Sequence, residues 1–498
     1  MSALNSINGT LDNLYRFRPR HLALRISERK ILLYIVDTLL LLLAGLAAVS
    51  GWAILRPDLP LSWQFISFFI NWIVGLSVVW GLLFAAYGGY NLKISAQTGV
   101  IQRRLLAVWA TFIAIYLLLF FFFARQPVVH PLPVLDDVLL LRVVPALFLA
   151  IALPLELVWR HLYAKLFTKN HFQQHVLIVG AGKAGQTLAD AFHHEIPTGA
   201  YNVVGFIDDD AGKIGKKVKN IPVLGRHTSM VKLIKQHSVD EVIVAISHDL
   251  GGSLFQTIME CYEQGVQITP MPVIYEALTG RVPVEHVGHQ WYVSLPVCAT
   301  PPGWLYKTLI RVLDSLAALI GLFGLGLVCP VIALANAIWS PGPLFYRQTR
   351  VGRSGKVYSI VKFRTMIPNA EGRSGAVWAE AQDPRITVVG HMLRKSRLDE
   401  IPQFWNILKG EMSLVGPRPE RPEFVEQLAK QIPFYKSRHA VKPGLTGWAQ
   451  VRYPYGASVE DSLMKLQYDL YYIKHQSFFL NFLILYKTIR VVLGLKGR

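Results

Sequence analysis

The sequence predicts three regions of different fold class: a membrane α-helical bundle, an α/β Rossmann-like domain, and a mixed, mainly α domain joined through a re-entrant membrane helix. Three observations predict it. Apolar runs long enough to cross a bilayer crowd the first third of the chain. A strand, a glycine-rich turn and a helical pattern follow from Gln174. Beyond a further apolar run at Val312–Trp339, the polar residues gather in short blocks. Of the 498 residues, 52% are hydrophobic, which is too apolar for an ordinary soluble chain and is explained by those runs. The boundaries read as a basic segment at 1–30, a four-helix bundle at 31–160, the Rossmann-like domain at 174–280, a linker at 281–302, the re-entrant helix at 303–340 and the last domain at 341–498.

The four spans are expected at about Ile31–Leu55, Phe65–Ala86, Leu105–Ala124 and Val138–Trp159. Cations cluster before the first (Arg16, Arg18, Arg20, Arg25, Arg29, Lys30), between the second and third (Lys93, Arg103, Arg104) and after the fourth (Arg160, Lys165, Lys169). The other two loops nearly balance, Arg56 against Asp58, and Arg125 and Arg142 against Asp136 and Asp137. Positive charge stays inside, so both ends of the bundle are expected in the cytoplasm. Asp37 falls within the first span near its cytoplasmic end, where it is expected to snorkel or to meet another helix. Pro145 and Pro154 are expected to kink the fourth span. The N-terminus does not read as a signal peptide, because its basic stretch and first apolar run are both too long.

The middle domain opens with a buried strand, His175–Gly180, then Gly180-Ala-Gly182-Lys-Ala-Gly185 and a helical stretch, Ala184–His194. A second strand, Asn202–Ile207, ends at Asp208, and a third is expected at Glu241–Ser247. This is the context of a dinucleotide fingerprint. Gly180, Gly182 and Gly185 would admit a pyrophosphate to the helix N-terminus, and Asp208 would bind a ribose hydroxyl. A bound nucleotide or dinucleotide is one reading; a Rossmann-like module with no ligand is the other. The three cysteines, Cys261, Cys298 and Cys329, lack metal-ligand spacing and read as buried, reduced thiols.

Val312–Trp339 is long enough to cross, yet cations flank both sides: Lys307 and Arg311 before it; Arg347, Arg350, Arg353 and Lys356 after it. Cys329-Pro330 interrupts it. A helix–break–helix that dips into one leaflet, with both ends cytoplasmic, fits both facts.

The net charge of +19 asks for an anionic partner. Anionic membrane lipid and phosphorylated substrates suit the apolar runs, and no zinc-finger spacing or basic–aromatic interleaving favours nucleic acid. The most informative stretch is Arg397-Leu-Asp399-Glu400-Ile-Pro402-Gln403, followed by Gly416-Pro-Arg418-Pro419. One carboxylate could attack phosphorus while its neighbour holds a divalent cation, and arginines could clamp a diphosphate. On charge pattern alone an Asp-Glu pair among arginines is more often a solvated ion-pair cluster.

From about Gly303 onward the chain resembles the bacterial sugar transferase family, the polyprenyl-phosphate hexose-1-phosphate transferases. The resemblance rests on Asp314 with the proline-broken helix, Ser340-Pro-Gly-Pro343, Lys362-Phe-Arg364-Thr-Met366, Asp383-Pro-Arg385, Leu398-Asp399-Glu400-Ile-Pro-Gln403, Val415-Gly-Pro-Arg418-Pro419 and Lys442-Pro-Gly-Leu-Thr-Gly447. The four spans and the Rossmann-like domain are similar to the N-terminal extension of its long members. The resemblance implies that Asp399 attacks the β-phosphorus of a UDP-hexose, expels UMP and passes the sugar phosphate to polyprenyl (undecaprenyl) phosphate, the first step of exopolysaccharide or O-antigen assembly. It implies Mg²⁺ on Glu400, and phosphate contacts from Lys362, Arg364, Arg385, Arg397 and Arg418, with Gln403 and Asn406 as weaker candidates. Asp383 would hold an arginine. A homodimer in the bacterial cytoplasmic (inner) membrane, with the catalytic domain facing the cytoplasm, is the expected setting. The tail Phe478–Leu495, with Lys487, Arg490, Lys496 and Arg498, reads as an interfacial helix on anionic lipid. The competing enzyme class is a membrane-anchored, NAD-dependent nucleotide-sugar dehydratase or reductase. Its support is the glycine turn and Tyr358-x-x-x-Lys362, which a plain strand at Val357–Lys362 explains better.

Overall fold

In the computed structural model, residues 26–55, 63–90, 95, 98–123, 138–167, 173–195, 201–247, 251–286, 303–368, 370, 383–453, 456 and 458–493 are described. They form two compact units, the first running to Met271 apart from a short loop at 247–249, the second running from Pro272. The basic segment before Ile26, the loops with Arg56, Asp58, Lys93, Arg125, Asp136 and Asp137, most of the 281–302 linker, Cys298, Lys496 and Arg498 lie outside the described residues.

In the first unit α1 (Ile26–Leu55), α2 (Trp63–Ala86), α3 (Thr98–Phe123) and α4 (Val138–Phe167) form the expected bundle. Aromatic rings fill its interior: Trp80 lies on Trp109 with centroids 4.4 Å apart, and Phe84, Phe112 and Phe148 are buried around them. Its outer face is apolar too, since Ile35, Leu39, Leu43, Leu46 and Val78 are exposed. A helix that is apolar on every side suits lipid rather than water. Among the described residues, Ile31–Gly51, Gly99–Leu117, Val144–Leu166 and Trp304–Trp339 are long and apolar enough to cross a membrane, and Ile73–Ala85 of α2 is a shorter apolar helix. Asp37 meets another helix rather than snorkelling: it is buried and pairs with the buried Arg160 of α4. Arg160 also donates to the Gly89 carbonyl at 3.3 Å and lies 4.6 Å from the Phe84 ring. α4 is helical through Pro145 and Pro154.

The Rossmann-like domain follows with β1 (Gln174–Val179), α5 (Lys183–Glu195), β2 (Tyr201–Ile207), β3 (Lys217–Val218), β4 (Ile221–Gly225), α6 (Met230–His237), β5 (Glu241–Val244), α7 (Gly252–Glu263) and β6 (Gln267–Pro270). The strand order is β3-β4-β2-β1-β5-β6, and every neighbouring pair is parallel except the β3–β4 hairpin. β1 is central, and it reads as continuous apolar sequence because it is buried on both faces. The glycine turn leaves β1 where the strand order reverses. Gly180 has φ +101°, and its N–H donates to the Ile207 carbonyl at 2.7 Å. A Cβ at Gly185 would lie 2.0 Å from the Gly180 carbonyl oxygen, whereas one at Gly182 would meet nothing within 4 Å.

The second unit begins inside the stretch read above as Rossmann-like. In α8 (Met271–Thr279), Glu276 accepts from Lys474 at 2.9 Å and pairs with His475 at 3.0 Å, and the Trp448 indole donates to the Gly280 carbonyl at 3.0 Å. Next come α9 (Trp304–Trp339), the antiparallel hairpin β7 (Phe345–Val351) and β8 (Val357–Phe363), α10 (Val388–Ser396), α11 (Phe404–Lys409), β9 (Ser413–Val415), α12 (Pro422–Gln431), β10 (Gly444–Thr446), α13 (Trp448–Arg452), α14 (Val459–Lys474) and α15 (Phe478–Leu493). β9 and β10 pair in parallel, and Val415, Leu428, Trp448, Leu466 and Leu470 belong to the core beside them.

The expected break at Pro330 does not interrupt α9, which is helical over 36 residues. Both of its halves hold the same unit. Before the proline, Arg311 donates to the Ile407 and Leu408 carbonyls (2.7 and 2.6 Å), and Asp314 accepts from the Leu414 N–H (2.9 Å). After it, Asn336 donates to the Gly342 carbonyl (3.2 Å). Between these contacts Ile320, Phe323, Leu327, Val331 and Leu334 are exposed.

The glycine contacts give a testable difference. Gly185→Ala should destabilise the Rossmann-like domain by about 2 kcal/mol or more, while Gly182→Ala should stay within about 1 kcal/mol. Pulse proteolysis of the full-length variants in detergent measures both.

Candidate active site

The adjacent acids sit where one helix stops and the next begins. Thr387 caps α10, its hydroxyl accepting from the Gly390 N–H at 3.0 Å. The helix ends at Arg397, whose φ of 61° places a non-glycine residue in the left-handed region. One 3-10 turn, Leu398–Gln403, then carries Asp399 and Glu400 into α11.

Glu400 is the electrostatic centre. Its Oε1 accepts from Lys362 Nζ at 3.2 Å and from Arg418 Nη2 at 3.0 Å, with Arg397 Nη1 3.8 Å away. Burial opposes ionisation of this carboxyl, but the three cations outweigh it and hold the group well below the usual carboxylate range. Asp399 is shifted the other way. Burial first, and the negative charge of Glu400 second, push its carboxyl up against the pull of Lys362, Arg394 and Arg397. Its Oδ1 is buried and has no hydrogen-bond partner. Two carboxylates therefore face four cations, Lys362, Arg394, Arg397 and Arg418, and the surplus positive charge suits a phosphate-bearing anion.

The loop carrying Arg418 is placed by a close crossing of backbones. A Cβ at Gly416 would lie 2.4 Å from the Lys442 carbonyl, and one at Gly444 would lie 2.1 Å from the Gly416 nitrogen. Glycine at both positions lets β9 run against the Lys442–Gly444 segment. A small cavity lies beside the acids, lined by Arg350, Ile360, Lys362, Gln403, Arg418 and Pro419 among others. Gln403 is buried there, and its Nε2 has no partner.

Of the residues singled out in the sequence, Asp399, Glu400, Lys362, Arg397 and Arg418 come together. Arg364 is given another task. Its guanidinium donates to the Pro343 carbonyl (2.7 Å), the Ser340 hydroxyl and Met366 carbonyl (3.3 Å each), Asn336 Oδ1 (2.8 Å) and the Ser340 carbonyl. Those bonds occupy its donors at the C-terminal end of α9, where helix carbonyls lack intrahelical partners. Arg385 forks onto Asp383 (2.8 and 2.6 Å). Asn406 staples the edge of β8, accepting from the Val361 N–H (3.2 Å) and donating to the Ser359 carbonyl (2.8 Å). In the Rossmann-like domain Asp208 turns back on the glycine turn, accepting from the Ala181 N–H (2.8 Å) and from Lys213 (3.1 Å). The Ala181 amide, within the glycine turn, is thus already bonded to a carboxylate of the chain itself. Sequence reading missed Arg394, although its spacing from Arg397 is that of one helix turn, and it missed Arg350 and Arg438, which nothing in the sequence separates from other arginines.

Because the folded-state pKa of Glu400 is depressed, its contribution to stability is present above about pH 4.3, the unfolded value, and is lost as the pH falls further. Glu400→Gln leaves three cations around a neutral group and should cost about 3 kcal/mol at pH 7. The gap in melting temperature between wild type and variant, followed by tryptophan fluorescence, should hold from pH 7 to pH 5 and narrow below about pH 4.

Comparison with known proteins covers both units. The family described as Bacterial sugar transferase matches residues 305–495, and the one described as CoA-binding domain matches residues 85–272. A UDP-N-acetylgalactosamine-undecaprenyl-phosphate N-acetylgalactosaminephosphotransferase of Aeromonas hydrophila is 41% identical over 245 residues, 49% of this chain and 56% of the relative. A UDP-glucose:undecaprenyl-phosphate glucose-1-phosphate transferase of Xanthomonas campestris pv. campestris is 33% identical over 290 residues, 57% of this chain and 59% of the relative. Its namesake in Escherichia coli (strain K12) is 31% identical over 326 residues, 64% of this chain and 68% of the relative. The match thus spans little more than half the length of the first two and about two thirds of the third.

Proposed function

This chain belongs to the bacterial sugar transferase family, and from that we propose that it moves a sugar 1-phosphate from a UDP-sugar to undecaprenyl phosphate at the inner face of the bacterial cytoplasmic membrane. The observation that carries the proposal is the buried, unpartnered Asp399 Oδ1 beside a Glu400 whose Oε1 is held by cations. One acid is held in place and the other keeps a free lone pair, which is the division of labour a nucleophile needs.

Asp399 attacks the β-phosphorus, forming a carboxyl oxygen–phosphorus bond, and the bridging oxygen leaves with UMP. An oxygen of undecaprenyl phosphate then attacks the same phosphorus, and Asp399 departs as carboxylate. Lys362, Arg397 and Arg418 offset the donor's charge. The residues fit Mg²⁺ in part: the open Asp399 oxygen and the adjacent Glu400 can contribute, and among the described residues no group of three or more His, Cys, Asp or Glu is placed to hold a metal ion. The rest of its shell would be donor phosphate oxygens and water. When bound, Mg²⁺ would neutralise charge on the diphosphate.

The relatives' names include glucose and N-acetylgalactosamine donors, so UDP-glucose, UDP-galactose and the N-acetylated UDP-hexoses form the panel to test. The dehydratase alternative is not favoured. Tyr358 and Lys362 lie on one plain strand, and Lys362 is bonded to Glu400. Attachment to the membrane through α9, with both ends on one side, is supported by its contacts with the same unit before and after Pro330. Exposed Phe478, Phe479 and Ile489 on α15 support its lying on the lipid surface.

Asp399→Asn should abolish UMP release, by about a thousandfold or more, while leaving the melting temperature near wild type. Turnover within tenfold of wild type would sink the covalent route. For topology, single cysteines at Ser354 and Ser2 in a chain lacking native cysteines should both resist an impermeant thiol reagent in intact cells and react after lysis. Labelling of position 354 alone in intact cells would mean that α9 crosses.

A further inference from the structure

Behind Arg418 lies a second layer of charge that this reaction does not itself use. The loop bearing Arg418 has proline on both sides, Pro417 and Pro419, so neither flanking position has an N–H by which to anchor itself. Its carbonyls are held from outside instead. The Pro417 carbonyl accepts from the Gly444 N–H at 2.9 Å, that of Arg418 from Arg438 Nη2 at 3.1 Å, that of Pro419 from Arg350 Nη1 at 3.1 Å, and that of Glu420 from the Val351 N–H at 2.9 Å.

Arg438 is the more deeply placed of the two arginine donors, with 4% of its surface exposed. The same Nη2 also donates to Asp469 Oδ2 at 2.7 Å, and Nη1 donates to the Tyr435 hydroxyl at 2.7 Å and lies 3.9 Å from Glu420 Oε1. Asp469 sits on α14 and is 1% exposed. A buried pair of this kind adds little stability over apolar side chains of equal volume, so stability alone is a weak reason for it. A planar guanidinium reaching a carboxylate, a hydroxyl and a carbonyl at once does what an apolar side chain cannot: it fixes the height of one peptide.

We infer that Arg438, locked by Asp469, is a positioning residue that sets the Arg418 guanidinium against Glu400 and against the donor's phosphate. The inference rests on the phosphoryl-transfer reading above. It predicts energetic coupling: Arg438 matters only while Arg418 has a guanidinium to place.

The test is a double-mutant cycle in the full-length chain, read as kcat/KM for UMP release. Arg438→Met should lower it about a hundredfold in the wild-type background, the scale of an ångström-sized misplacement. In the Arg418→Ala background the same change should cost no more than about twofold. Asp469→Asn should act in the same direction but more weakly, and Arg438→Lys should restore part of the loss. Where Arg438→Met does not fold, Asp469→Asn and Tyr435→Phe take its place in the cycle. Equal losses in both backgrounds would overturn the inference and leave Arg438 as a core residue. If the wild-type chain releases UMP from no UDP-sugar, the transfer reading fails separately. The cycle is then read as affinity for UDP by calorimetry, where coupling supports the positioning role and additivity overturns it.

Discussion

One carboxylate oxygen, Glu400 Oε1, draws together parts of the chain that share no secondary structure. Lys362 comes from a β-hairpin, Arg397 from the left-handed end of a helix, and Arg418 from a proline-flanked loop. Like charges at such separations repel strongly in a poorly hydrated site, so the cations converge only because an anion sits among them. The geometry around Asp399 follows from that convergence. It stands next in sequence to the anchored residue, its carboxyl is pushed up by burial first and by its neighbour's charge second, and one of its oxygens has no hydrogen-bond partner.

Several features were legible in the sequence for physical reasons. Long apolar runs have few interpretations, and the four bundle helices form where those runs lie. The glycine motif was legible because Gly180 needs a positive φ and Gly185 needs the absence of a Cβ. The Asp399-Glu400 pair was legible from resemblance far more than from charge, since adjacent acids among arginines usually point to solvent.

What stayed hidden was the division of labour among the arginines. Arg364, Arg385, Arg418 and Arg438 are one residue type, all near prolines or small motifs, yet one closes a helix end, one holds an aspartate, one touches Glu400 and one holds a carbonyl. Arg385 meets the aspartate two positions before it, but which acceptor the other three meet is settled by contacts distant in sequence. The same holds for Asp208, whose position at a strand end suggested a ribose partner while its carboxylate closes on the glycine turn. The Asp37–Arg160 pair joins residues more than a hundred positions apart, and only the first of them stood out from its surroundings.

The ends of α9 carry a consequence for how the enzyme meets different bilayers. Trp304 and Trp339, its first and last residues, are 77% and 64% exposed, and indoles prefer the headgroup zone. If both ends lie on one face, as proposed above, these two rings would sit at a single interface and need no match to the opposite leaflet. Bundle helices that cross the full hydrocarbon depth would feel thickening or thinning of the bilayer as mismatch. The transferase unit, attached as proposed, would not: its depth would be measured from one surface only. Acyl-chain length should therefore strain the bundle while leaving the distance between Asp399 and a lipid phosphate unchanged.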